Sequence, residues 1–166
     1  RGMMKGRICI PICDEDGQLV AYAGRWAGAD EDIPAGEDKY KLPAGFQKTL
    51  VLFNLHRVRQ SAPAISELVV VEGYFSVMRL HELGIPAVAL MGSSIADGQI
   101  ALLRRMLPEL GSIVLLMDGD EPGRKAREVI LAELAAHWFV YAPLLPEGAQ
   151  PDTLPEETLR ALLEFA

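Results

Sequence analysis

Cysteine, histidine and basic residues are all in short supply in this 166-residue chain, and each shortage excludes something. The two cysteines, Cys9 and Cys13, stand in one apolar segment at a C-x3-C spacing, and the three histidines (His56, His81, His137) are scattered. No second Cys or His pair follows at zinc spacing, so a structural zinc site is excluded and two buried, reduced thiols in a cytoplasmic protein are expected. No apolar run approaches the length of about 18 residues that a membrane span needs. The start, Arg1-Gly2-Met3-Met4-Lys5, lacks the apolar stretch of a signal peptide. A first residue of Arg suggests a fragment of something longer. Lys plus Arg number 16 against 23 Asp plus Glu, a formal net charge of −7. That balance argues against a uniformly basic surface that neutralises nucleic-acid phosphates wherever they touch.

Apolar residues are plentiful, at 50% of the chain. Disorder is excluded and one globular domain, with a small appended lobe, is expected. Residues 7–13 and 18–24 are apolar runs separated by Asp14-Glu15-Asp16-Gly17, the signature of a β-hairpin. An acidic loop follows, with Asp30, Glu31, Asp32, Glu37 and Asp38. From Lys39 to Ser66 there is no acidic residue, but there are Lys39, Lys41, Lys48, Arg57 and Arg59. A boundary near Ala62-Pro63 divides an N-terminal basic lobe, 1–62, from a second unit, 63–166. In that unit apolar strands alternate with helical periodicity: strands at 68–71, 87–91, 112–117 and 138–142, and helices at 74–83, 96–107, 123–136 and from Pro155 to about Phe165. Alternation with short links predicts an α/β fold, a mostly parallel sheet with helices on both faces.

Ligands of such sheets gather at the carboxyl ends of the strands. Here the first strand of the α/β unit ends in Glu72-Gly73-Tyr74 and the third in Asp118-Gly119-Asp120. Three carboxylates delivered to one edge repel one another unless a cation neutralises them, and oxygen-only ligands suit Mg²⁺ or Mn²⁺. Gly73 and Gly119 are expected to let a large ligand approach the backbone. Ser93-Ser94 could touch phosphate or cap a helix, Arg124 could reach phosphate from the start of the helix after the aspartates, and Trp26 and Phe46 could stack on bases or serve packing.

Leu68–Leu80 (LVVVEGYFSVMRL) and Leu115–Ala126 (LLMDGDEPGRKA) resemble the two motifs of the TOPRIM fold, shared by DnaG-type primases, topoisomerases and some nucleases. Glu-Gly-Tyr, Met91-Gly92-Ser93-Ser94 and Gly-Arg-x-Ala after the aspartates are similar to primase usage. Residues 6–28, Lys39-Tyr40 and Gln47-Lys48 are similar to the stretch that precedes TOPRIM in bacterial primases, where a Gly-Arg and two lysines guide template and incoming nucleotide. The resemblance implies a TOPRIM, Rossmann-like sheet with a small N-terminal α+β lobe. It implies template-directed synthesis of RNA primers in DNA replication, with single-stranded DNA and ribonucleoside triphosphates as partners and Mg²⁺ or Mn²⁺ as cofactor. A replicative helicase would be met through regions absent from this chain. Carried over residue by residue, it makes Glu72, Asp118 and Asp120 catalytic, adds Asp152 to them as metal ligand, and assigns Arg25, Lys39 and Lys48 to nucleic acid or nucleotide, which Arg124 joins by its position just past the aspartates. The sequence departs from the pattern twice. Ser76 stands where primases carry an Asp four residues after the motif Glu, and Gln150 replaces the first Asp of Asp-Pro-Asp. Nuclease or strand-passage chemistry, and a binding module without turnover, are the alternatives those departures leave open.

Overall fold

The computed structural model describes residues 2–61 and 65–164; the boundary expected near Ala62-Pro63 and the end of the last helix at Phe165 lie outside them. Its elements in chain order are β1 (Arg7–Cys13), β2 (Leu19–Trp26), β3 (Tyr40–Lys41), α1 (Leu55–Ser61), β4 (Glu67–Val71), α2 (Tyr74–Glu82), β5 (Ala87–Ala89), α3 (Asp97–Met106), β6 (Ser112–Leu116), α4 (Glu121–Ala135), β7 (Phe139–Tyr141) and α5 (Glu156–Leu163). β1, β2 and β3 form an antiparallel sheet, and the other four strands form a parallel sheet in the order β5-β4-β6-β7. The strand order reverses beside β4, which makes the carboxyl ends of β4 and β6 the crevice where such folds bind ligands.

Why the parallel sheet holds follows from its side chains. In β4 and β6 every residue after the first is buried, because helices cover both faces. Leu68 and Val70, with Ile113 and Leu115, point to a core shared with α1, α3 and α4. Val69 and Val71, with Val114 and Leu116, point to a core built from α2, Leu159 of α5 and the hairpin residues Ile10, Ile12, Ala21 and Ala23. The hairpin therefore contributes to the same apolar cluster as the parallel sheet. Phe53 adds a two-way backbone bridge to Ala89 at the β5 edge.

The period of two along β1 also corrects the expectation of buried thiols. Ile10 and Ile12 take the inward positions, so Cys9 is exposed and Cys13 only half-buried, and both are free.

Truncating a fully buried side chain removes transfer energy and leaves a cavity. Leu115→Ala, on the central strand, is therefore expected to lower stability by about 2–5 kcal/mol. The check is urea unfolding, where the midpoint should fall while the slope stays unchanged.

Candidate active site at the carboxyl edge of the sheet

The register of β4 against β6, which ends on Val71 opposite Leu116, brings both chains out of the sheet at one level. Glu72 leaves β4 there, and Met117-Asp118 leave β6. A cavity of about 760 Å³ opens over this edge, lined by Glu72, Asp118, Asp120, Gln150 and Asp152 of the α/β unit and by Arg25, Asp30 and Lys39 of the N-terminal part. All four carboxylates expected as metal ligands, and two of the four expected cations, thus share one space.

Three of the four carboxylates accept a hydrogen bond from a neighbour. Asp120 is the N-cap of α4, its Oδ1 accepting from the Gly123 N–H at 2.7 Å. Asp118 accepts a hydrogen bond from the Gln150 amide at 2.5 Å, and Asp152 accepts one from the Ser76 hydroxyl at 3.0 Å. The two residues standing in place of acids are therefore neutral donors to acids. Burial, then the charges of Asp118 and Asp120, hold the Glu72 carboxyl above its ordinary range. Asp118 is also raised, by burial first and by Asp120 and Asp152, against the lowering effect of the Gln150 bond.

The loop that carries Gln150 and Asp152 is fastened to Gly119. The Gly119 N–H donates to Ala149 O at 2.8 Å and the Gly148 N–H donates to Gly119 O at 3.2 Å. A Cβ on Gly119 would stand 2.1 Å from Pro146 O, so the close approach expected of a ligand is made by the chain itself. Gly73, by contrast, lines the cavity with nothing within 4 Å of such a Cβ.

Among the N-terminal lining residues, Arg25 lies 5.6 Å over the Tyr40 ring, which rests at 5.4 Å on Tyr74; Tyr74 in turn meets Phe53 edge-on at 4.9 Å. Tyr74 follows Glu72-Gly73, so this aromatic chain links Arg25 to the segment that carries Glu72. Arg25 and Lys39 both bind Asp30, at 2.5 and 2.8 Å. Lys48 donates to Met91 O at 3.3 Å beside the cavity, joins no ion pair among the described residues, and lowers the Glu72 carboxyl through its charge. Met91 itself has a positive φ of 60°, an uncommon conformation for a residue with a side chain, at the point where its carbonyl meets Lys48. Arg124 does not line the cavity; it donates to Gly119 O at 2.6 Å and pairs with Glu147 at 2.8 Å.

Several supports escaped sequence reasoning. Buried Gln99 donates to the carbonyls of Lys48, Val51 and Leu90, and its Oε1 accepts from Ala96 N–H. It secures the start of α3, a task the serine pair was expected to share; the cap position falls on Ala96. Arg7, with a side chain 1% exposed, ties Glu37, Gly24 O and Lys39 O together beneath the acidic loop. Trp26 lies under Arg7 and Phe46 joins the apolar cluster of the hairpin, so both serve packing. A polar residue at an unremarkable position carried no signal for these roles.

Oxygen-only carboxylate donors facing one cavity fit Mg²⁺ or Mn²⁺ in chemistry. Among the described residues no group of three or more His, Cys, Asp or Glu stands ready-made as a metal cluster. The donors surround the space rather than meet at a point.

Two outcomes are expected from this geometry. Gly119→Ala forces a backbone collision and should cost about 1–3 kcal/mol, read as a lowered melting temperature. The second concerns pH. An acid whose folded pKa lies above its unfolded one penalises the fold once ionised; the penalty is absent below the unfolded pKa and complete above the folded one. In chelator-treated buffer, Glu72→Gln should therefore raise the melting temperature at neutral pH, and its advantage over wild type should vanish as pH falls below the ordinary Glu range. An equal or lower melting temperature at neutral pH would contradict the repulsion argument.

Comparison with known proteins agrees with this geometry. A family profile described as Toprim-like matches residues 69–154. The DNA primase of Pseudomonas aeruginosa is 36% identical over 155 residues, covering 90% of this chain and 22% of that protein. The crystal structure of the Aquifex aeolicus primase, comprising its zinc-binding and RNA polymerase domains, superposes with a TM-score of 0.80 at 32% identity, covering 98% of this chain and 41% of that one. A structure of the DnaG primase catalytic domain bound to single-stranded DNA superposes with a TM-score of 0.76 at 31% identity, over 95% of this chain and 51% of that one. The chain thus spans roughly a quarter to a half of the lengths of the proteins it matches. It belongs to the TOPRIM family, as a domain of the DnaG-type primase kind.

Proposed function

We propose that this chain is the TOPRIM part of a DNA primase and takes part in metal-dependent, template-directed joining of ribonucleoside triphosphates. The observation that carries this is the convergence of Glu72, Asp118, Asp120 and Asp152, from three separate chain segments, on a cavity that Arg25 and Lys39 also line. A primase relative whose structure holds single-stranded DNA supports a nucleic-acid template as partner. Divalent-metal dependence is general in the family.

Glu72, Asp118 and Asp120 would hold Mg²⁺ or Mn²⁺, with Asp152 beside them. A bound cation supplies charge neutralisation at triphosphate oxygens, which lowers the cost of phosphoryl transfer. The chain's own residues orient. Asp120, fixed by its capping bond, and Asp118, fixed by Gln150, present oxygens from set positions. Lys48, Arg25 and Lys39 contact phosphates, which positions a strand or nucleotide without reading its bases. Arg124 reaches phosphate only by exchanging Glu147 for it.

The test is synthesis of labelled oligoribonucleotides on a single-stranded template by the longer protein. Asp120→Asn keeps a good capping side chain but removes the charge, and is expected to reduce product about 100-fold or more while the protein stays folded. Mn²⁺ or Mg²⁺ should raise the melting temperature of wild type and not of Asp118→Asn, since binding the native state alone stabilises it. Template cleavage without product would favour a nuclease. Absence of both product and metal stabilisation would favour a binding module, the reading to which the neutral donors Ser76 and Gln150 lend weight.

A further inference from the structure

Two cations that line the cavity with the carboxylates are already engaged, by the same anion. Asp30 presents one carboxylate oxygen to Arg25 at 2.5 Å and the other to Lys39 at 2.8 Å. The arrangement is two-pronged, and Arg25, Asp30 and Lys39 line the same cavity as Asp118 and Asp120. Arg25 is well suited to keep such a partner. Its side chain is 14% exposed, it lies over the Tyr40 ring, its second terminal nitrogen donates to Trp26 O, and its Nε is buried without a partner. The guanidinium is therefore a fixed fork with one exchangeable prong directed at Asp30. Asp30 has the opposite character. It begins a three-residue 3-10 turn with no buried residue, and its side chain is 49% exposed. A partly desolvated cation bound by an exposed carboxylate is the arrangement of a site occupied by a substitute. Carboxylate and phosphate are recognised by the same fork geometry of arginine.

We propose that Asp30 occupies, in the ligand-free chain, the place taken by a phosphate group of the ligand, and that binding requires this carboxylate to leave Arg25 and Lys39. The inference rests on the reading of the cavity as a phosphate-handling site and adds to it an internal competitor. The competitor sets a threshold. A single weakly held phosphate is outbid by an anion tethered to the same chain, whereas a ligand that also engages the carboxylates through its cation, or Lys48, displaces it. The ion pairs Arg7 with Glu37 and Lys41 with Glu37 hold the far end of the loop, so release of Asp30 needs only local movement of residues 29–32.

Two phosphate sources are distinguished by two probes on the full chain, inorganic tripolyphosphate by calorimetry and a labelled oligothymidylate by fluorescence anisotropy. Asp30→Asn removes the competing charge and keeps the size. Removing this one competing carboxylate should tighten binding about three- to ten-fold. Tightening for tripolyphosphate alone assigns the place to a nucleotide; tightening for the oligonucleotide assigns it to the strand backbone. Asp32→Asn is the control, because Asp32 is exposed and in no ion pair among the described residues, and it should change binding less than two-fold if general charge is a minor effect. The proposal is overturned if Asp30→Asn leaves both probes unchanged, weakens them (a positioning role), or tightens them no more than Asp32→Asn does. Lys39→Ala separates this failure from a deeper one. If it weakens binding while Asp30→Asn does nothing, the phosphate site stands and the competitor falls. If it leaves both probes unaffected, the phosphate-handling reading itself fails.

Discussion

The site depends on one constraint, the in-register parallel pairing of two strands with no exposed face. β4 and β6 are buried on both sides, so neither can slide by a residue without turning its Val, Ile and Leu side chains into the wrong core. The register fixed by that apolar burial also fixes where the strands stop, and so sets Glu72 and Asp118 at the same edge. Hydrophobic energy spread over many side chains is what opposes the mutual repulsion of a few carboxylates. The raised Glu72 and Asp118 carboxyls show the cost that remains at the edge itself.

The fold was legible in this sequence where its periodicity was strong. The hairpin, the four parallel strands and the helices between them stand where alternating and 3.6-residue patterns place them, with ends differing by a residue or two. For example, the helix expected from residue 123 begins at Glu121, because Asp120 caps it and Pro122 suits the first turn. The acids of the site were legible too, since strand ends are found by pattern and Glu-Gly and Asp-Gly-Asp sit on them. What holds those acids was not. Gln99 binds three carbonyls of distant segments, Tyr74 sits between Phe53 and Tyr40, and Gly119 is crowded by Pro146; each contact joins residues more than 8 apart in the chain, and no local pattern encodes it.

Charge was the feature most easily misread from the chain alone. The sequence separates an acidic stretch, 30–38, from an acid-free basic stretch beginning at Lys39. Folding reverses that separation. Asp30 meets Arg25 and Lys39, Glu37 meets Arg7 and Lys41, and Glu15 meets Arg59 and Arg105. Most cations near the cavity thus carry an internal partner, and Lys48 stands out among them in having a carbonyl instead. Linear charge blocks describe what is adjacent on the string, whereas chain returns bring opposite blocks into contact, and the entropic cost of closing such loops grows only slowly with their length.

Ser76 and Gln150 make sense in the same terms. An acid at either position would add a buried charge to a cavity edge where Glu72 and Asp118 are already raised by burial and by neighbouring acids. A hydroxyl and an amide do the reverse. They donate to Asp152 and Asp118, and the Gln150 amide lowers the cost of keeping Asp118 ionised. Among the residues that line the cavity, Asp118, Asp120, Asp152, Arg25 and Lys39 are each held by a partner from the same chain. Asp118 leans on an amide, Asp152 on a hydroxyl, and Arg25 and Lys39 on an exposed carboxylate. Under the proposed function, a ligand bearing both a divalent cation and phosphates would offer the acids and the cations stronger partners than these. Either half alone would satisfy only one of the two sets.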